Sequence, residues 1–434
     1  MSVEIGFYGV GALILLLALR VPVALALITV SFGGIAFILG LKPAFGILSN
    51  TPYSFVASWT MSAVPMFLLM GFLAYRAELT SGLFDAAKAV LYRVPGALAI
   101  SSIFACSGFA AVCGSSLATA ASMGRIAIPE MLRAGYSPSI AAGAIAAGGT
   151  IGALIPPSIL MILYGVFAET SITKVFLGGV VMGLATAASY IAVVLVLAAF
   201  RPDLVPRRPA QASHMSALEA IRRIWPVLAL IVLVFGGLFS GFFSATEAGA
   251  IGAAGAIVCA WATGKLNWEV MRQSLLETLL TSASLFIIGI GAAMFTRFLG
   301  VTGLSSFIAS QVGAADLSYV QLMIIVVAIY LLLGTVMEPF GALMVTLPVL
   351  IPIFNAEGIS LVWFGVLVVK LLEIGMITPP LGLNVFVIRN VAQEHVTVVQ
   401  IFAGVFPFFV ADMIVVALSV ALPGAILFLP NLLG

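Results

Sequence analysis

"GGTIGALIPPSILM", residues 148–161, decides how this chain folds. It lies inside a long apolar run, yet it holds three glycines and two adjacent prolines. A proline in a helix interior removes a backbone donor and costs about 3 kcal/mol. A hydrophobic segment that breaks itself here frees main-chain polar groups. At membrane depth such groups persist only where protein, water or a ligand satisfies them.

The stretch has a twin in "EIGMITPPLGLNVF", residues 373–386. Gly152, Pro156 and Pro157 correspond to Gly375, Pro379 and Pro380 at one constant offset. The same offset relates Pro129 to Pro352, and Gly135-Tyr136-Ser137 to Gly358-Ile359-Ser360. These matches indicate an internal duplication. Its halves are residues 1–200 and 224–434, joined by the polar basic linker "RPDLVPRRPAQASHMSALEAIRR", residues 201–223.

Hydrophobic residues make up 63% of the chain and charged residues 8%, a balance that only a multispan membrane protein sustains. At about 20 residues per span, the length allows about a dozen helices. The short alternating segments of a β-barrel are not seen. The net charge of +2 makes no case for a nucleic-acid partner. Glu4 stands where a signal peptide carries positive charge, so residues 5–19 read as a first membrane helix. Cys106, Cys113 and Cys259 lack metal-ligand spacing and read as small core side chains.

The apolar runs predict helices at 5–19, 23–40, 62–76, 138–154 with 158–168, 174–200, 224–241, 245–263, 275–298, 360–376 with 381–390, and 397–429. Residues 96–131 and 318–354 read as helical hairpins, and 46–60, 80–93 and 300–312 as interfacial segments. The positive-inside rule puts the linker, with Arg201, Arg207, Arg208, Arg222 and Arg223, in the cytoplasm. Threading outward from it places Arg20, Arg76, Lys88, Arg93, Arg125, Arg133, Lys265, Arg272 and Arg389 on the same side. This works only if each hairpin is re-entrant, the first from the cytoplasm and the second from outside. Both termini then lie outside, as do Lys42, Lys174 and Arg297. The expected fold is an all-α polytopic membrane protein of two inverted-topology repeats, each with a re-entrant helical hairpin and a broken transmembrane helix.

Inverted repeats with broken helices at matching places point to a secondary transporter. The carbonyl end of each first half-helix suits a cation, and the N–H end of each second half suits an anion. Proline at the start of the second half costs little, because that amide is unpaired anyway. Each break is expected to face the tip of its own hairpin. The first tip is "CGSSLATA", residues 113–120. Gly114 permits the turn, Ser115 or Ser116 caps the outgoing leg, and Ser115, Ser116 and Thr119 offer hydroxyl oxygens that suit Na+. The second tip is "MEPFGALMVTLP", residues 337–348. Its Glu338 either binds a cation, gates the site or caps the second leg.

Lys370 and Glu373 are spaced to pair on one helix, in a structural or a coupling role. Glu247 reads as stabilising a helix N-terminus, and Asp412 as a structural residue remote from both breaks. Lys174 and Arg297 read as interfacial anchors or as contacts for an anion. No Walker A loop surrounds Gly264-Lys265, which excludes a nucleotide-driven pump of that type. His214 and His395 lie far apart, and no catalytic cluster suggests an enzyme. No cofactor is expected.

"GGTIGALIPPS", "CGSSLATA", "TLPVLIP" and "ITPPLGLNVFVI" together resemble the large membrane subunit of TRAP (tripartite ATP-independent periplasmic) transporters, DctM type, within the ion-transporter superfamily. The resemblance covers essentially the whole chain. It implies a Na+-coupled importer of an organic anion, a carboxylate or sugar acid, in a bacterial inner membrane. It implies two partners on separate polypeptides, a small four-helix membrane subunit and a periplasmic substrate-binding protein. It also implies an elevator mechanism, in which hairpins and broken helices slide against a scaffold. Carried over by position, one Na+ site takes Gly114, Ser115 and Ser116 with Gly149, Gly152 and Pro156. A second takes Glu338 and Gly341 with Gly375, Thr378 and Pro379. Ser116, Thr119, Pro157, Ser158, Pro380 and Asn384 are the substrate candidates. Cys113 stands where the family often has Ser, and Glu338 where Asp is expected. The alternative is a stand-alone Na+/anion symporter or Na+/H+ antiporter of the same superfamily, needing no binding protein.

Overall fold

The computed structural model describes residues 2–206, 217–392 and 396–433; Arg207, Arg208, His214 and His395 lie outside them. The first half runs α1 (Ser2–Ala18), α2 (Val23–Leu39), α3 (Leu41–Val56), α4 (Ala63–Arg76), α5 (Gly82–Leu91), α6 (Ala97–Cys113), α7 (Ser116–Arg133), α8 (Pro138–Thr150), α9 (Ile159–Phe167) and α10 (Ile172–Phe200). The second runs α11 (Ala217–Phe239), α12 (Ala245–Ala262), α13 (Trp268–Thr302), α14 (Leu304–Ala314), α15 (Tyr319–Val336), α16 (Pro339–Ala356), α17 (Leu361–Gly375), α18 (Leu383–Ala392), α19 (Val398–Ala421) and α20 (Pro423–Leu433). Among the described residues there is no strand. Among the described residues seven helices are long and apolar enough to cross a membrane; α3 and the helical segment through α4 make an eighth candidate, bent by 57°.

Local chemistry sets the helix ends. Asn267 caps α13, its Oδ1 accepting from Val270 N at 2.8 Å, so that helix starts earlier than the apolar pattern suggests. Ser244 and Glu247 form a reciprocal capping box on α12, with Ser244 N donating to Glu247 Oε2 at 2.8 Å. The run at 397–429 divides at Leu422. Pro423 has no amide hydrogen to continue α19 and pushes the preceding residue out of helical geometry (φ −130°, ψ 64°). Asp203, ahead of the undescribed part of the linker, accepts hydrogen bonds from Arg201, which hold its carboxyl below the usual carboxylate range.

Two apolar cores form. One joins α2, α4, α12 and α13 with α9, α15, α16 and α17. The other joins α6, α7 and α8 with α18, while α10 and α19 contribute to both. Each broken helix crosses from one core to the other. The first passes from the second core (α8) into the first (α9), and the second makes the crossing in the opposite sense (α17 to α18). Both breaks therefore lie along the seam between the cores.

Candidate functional site

At the first break α8 ends at Thr150 and α9 begins at Ile159, with a short 3-10 turn at Ile151–Ala153 between them. Ser158 caps α9, its hydroxyl accepting from Met161 N at 3.3 Å. Every residue from Gly148 to Ser158 is buried. The first hairpin closes onto this break. Gly114 turns the tip in the left-handed region (φ +63°), and Ser115 caps α7 by accepting from Ala118 N at 3.4 Å. Thr119 Oγ1 donates to Ser115 O at 2.7 Å. The tip and the break touch main chain to main chain. A Cβ added at Gly152 would stand 2.7 Å from both Ser115 O and Thr119 Oγ1, and one at Gly114 would strike Pro157 O.

The second break is built differently. α17 ends at Gly375, Thr378 Oγ1 donates back to Ile374 O at 2.7 Å, and Pro379, Pro380 and Leu381 are exposed. The Pro156–Pro157 and Pro379–Pro380 peptides are both cis. The second hairpin meets this break through its first leg, since a Cβ at Gly334 would lie 2.9 Å from Gly375 Cα. At the tip Glu338 caps α16, its Oε1 accepting from Gly341 N at 3.1 Å. A Cβ at Gly341 would meet Val23 of α2 at 3.2 Å. Glu338 thus serves as the cap of α16, one of the roles open for it.

Asn384 ties the two breaks together. Its backbone N donates to Met376 O at 3.0 Å and its Nδ2 donates to Ala146 O of α8 at 3.2 Å. Ser116, at the first tip, hydrogen-bonds Glu373 of α17. The structure thus gathers Gly114, Ser115, Ser116, Thr119, Gly149, Gly152, Pro156, Pro157, Ser158 and Asn384 in one region. Glu338, Gly341, Thr378, Pro379 and Pro380 lie along the second hairpin and its break.

Three sequence expectations are corrected here. The second break faces the first leg of its hairpin, at Gly334, and not the tip, where Gly341 packs against Val23 of α2. Lys370 does not pair with Glu373; it forms a fully buried ion pair with Asp412 of α19, while Glu373 turns to Ser116. Asp412 is also not remote from the breaks. Tyr190 OH donates to Asp412 Oδ2 at 2.8 Å and lies 3.1 Å from Thr150 Oγ1, at the end of α8. The signal that points to this network is a lone Asp412 in one apolar run and Lys370 with Glu373 in another. Each requires a partner when buried.

Such a bundle, with two broken helices crossing between two cores around a buried polar seam, defines a multispan membrane transporter. The family profile described as "Tripartite ATP-independent periplasmic transporter, DctM component" matches residues 10–425, and the chain belongs to that family. It is 34% identical over 408 residues to the C4-dicarboxylate TRAP transporter large permease protein DctM of Pseudomonas aeruginosa, covering 91% of this chain and 94% of that protein. It is 31% identical over 399 residues to the sialic acid TRAP transporter large permease protein SiaM of Vibrio cholerae, covering 90% and 92%. The fold is similar to the crystal structure of the YdaH transporter of Alcanivorax borkumensis, with a TM-score of 0.62 at 18% identity and 89% of each chain covered. The protein is a multi-pass transporter subunit and not an enzyme.

Proposed function

We propose that this subunit imports an organic anion, a carboxylate or sugar acid, across a bacterial inner membrane in symport with Na+. The observation that carries the reading is the first hairpin tip seated on a fully buried helix break at the seam between two cores. Backbone carbonyls, hydroxyls and a half-helix N-terminus converge there, the groups that hold a hard cation beside an anion. Relatives named for C4-dicarboxylate and sialic acid fit the anion class. A small four-helix membrane subunit and a periplasmic substrate-binding protein complete the system.

In this reading the first tip and break (Gly114, Ser115, Ser116, Gly149, Gly152, Pro156) form one Na+ site. The second hairpin and break (Glu338, Gly341, Gly375, Thr378, Pro379) form another. Ser116, Thr119, Pro157, Ser158, Pro380 and Asn384 face the anion. The repeats are inverted, the linker is cytoplasmic and both termini are periplasmic. Hairpins and broken helices move as one body against the remaining scaffold. Each Na+ entering gains about 2.3 kcal/mol per 100 mV of membrane potential, enough with two ions to drive a monovalent anion inward.

The test is uptake by proteoliposomes holding this chain and its small subunit, with a panel of organic acids. Uptake that needs both an inward Na+ gradient and the cognate binding protein is expected. Na+-driven uptake without any binding protein assigns the stand-alone symporter instead, and uptake indifferent to Na+ overturns the coupling.

A further inference from the structure

Far from the breaks, basic residues gather where two membrane spans meet the surface. Arg222 and Arg223 open the apolar span Arg222–Phe239 of α11, and Thr263 and Lys265 follow the span Ala245–Ala262 of α12. With the turn between α4 and α5 they line a cleft of about 350 Å³. Gly82 permits the close approach of α11 to the start of α5, since a Cβ there would stand 2.9 Å from Arg223 Cβ and 3.1 Å from Arg223 O. The charges of the cleft do not cancel. Arg223 Nη1 pairs with Asp85 Oδ2 at 3.1 Å, and Lys265 Nζ with Glu78 Oε2 at 3.6 Å. Arg222 lines the same cleft, and among the described residues it has no ion-pair partner. Three cations thus face two carboxylates. Both existing pairs are open to solvent, so they contribute little and yield readily to a competing anion.

Position decides which anion fits. One span begins and the other ends at the cleft, so it lies where hydrocarbon gives way to headgroups. Trp225 and Trp261 are 39% and 73% exposed at this level, as tryptophans of an interfacial belt are. Trp225 and Leu79 give the cleft an apolar wall beside its cations. A phosphodiester that carries one negative charge and is joined to glycerol and acyl chains matches both. Basic pockets between membrane helices take such headgroups. A free phosphate shares the charge but has no use for the apolar wall.

We propose that this cleft binds the phosphodiester headgroup of an anionic phospholipid, with Arg222 as the cation that selects negative charge and Trp225 beside the glycerol. The occupied cleft ties α11 and α12 to the start of α5. α5 in turn reaches the first hairpin, Lys88 Nζ donating to Glu130 Oε2 of α7 at 2.8 Å. The lipid therefore braces the helix that supports the hairpin. The site needs no assumption about the coupling ion.

The experiment titrates the full chain, purified with its small subunit in neutral detergent, with phosphatidylglycerol, with phosphatidylcholine of the same acyl chains, and with inorganic phosphate. It is read by melting temperature and by lipid retained in native mass spectrometry. Phosphatidylglycerol should raise the melting temperature and bind at least about tenfold more tightly than phosphatidylcholine. Arg222→Gln should weaken phosphatidylglycerol about tenfold, and Lys265→Gln by a similar factor. The Arg222 side chain is exposed, so its variant should fold as the natural chain does. Lys42→Gln, which removes one exposed positive charge on α3, should titrate like the natural chain. Equal binding of the two lipids overturns the site, because the cleft would then not read charge. Stabilisation by inorganic phosphate equal to that by phosphatidylglycerol assigns a soluble anion and overturns the lipid. If Arg222→Gln and Lys265→Gln both titrate like the natural chain, the lipid binds elsewhere and this cleft is not its site.

Discussion

Replacing Lys370 with methionine should lower the stability of the solubilised chain by about 3–5 kcal/mol, the usual result of removing one member of a buried ion pair. The cause is what remains. Asp412 is 0% exposed, and without the ammonium it keeps only the Tyr190 hydroxyl, at 2.8 Å. Tyr190 is itself engaged with Thr150 and Lys370 sits 5.7 Å over its ring, so the loss reaches three helices at once. The double variant Lys370→Met with Asp412→Leu should recover most of the loss, because neither member of the pair is left buried without its partner. Chemical unfolding in micelles measures both. A single variant as stable as the natural chain would show that the pair does not hold α17 to α19. If the double variant is stable but uptake is lost, the pair serves transport rather than folding.

The legible parts of this protein are those whose causes are local. The duplicated Gly-x-x-x-Pro-Pro breaks can be read directly, because proline and glycine act on the backbone at their own positions. So can the first tip, where Gly114 takes a positive φ and a serine caps the next helix. Glu338 was legible as a short set of roles. The direction of its side chain, onto Gly341 N, was not legible. What the sequence could not reveal is which neighbour each buried charge finds. Lys370 and Glu373 share a helix at pairing distance, yet α17 lies between α19 and the first hairpin. The lysine therefore turns to Asp412 and the glutamate to Ser116. The crossing of the broken helices between two cores is equally invisible in the pattern. Apolar periodicity reports that a face is buried and not which core receives it.

Gly152→Val should reduce Na+-driven uptake by about two orders of magnitude while the protein still folds, since overpacking a tight contact costs about 1–3 kcal/mol and each 1.4 kcal/mol is tenfold in an equilibrium. The strain falls on one contact. The first added carbon would stand 2.7 Å from Ser115 O and Thr119 Oγ1, and neither can withdraw freely: Ser115 O already accepts from Thr119, and Ser115 caps α7. The tip must lift away from the break, and lifting it separates the oxygens that are proposed to share the first Na+ site. Gly236→Val on α11 is the matched control, because nothing stands within 4 Å of the carbon it adds. It should transport as the natural chain does. Cysteine crosslinking between the tip and the break separates the causes, with the natural chain crosslinking and Gly152→Val failing to. If Gly152→Val crosslinks and transports normally, closure of this tip is not a step in transport. If it fails to crosslink yet transports normally, the tip is a structural seat and the ion path runs through the second break.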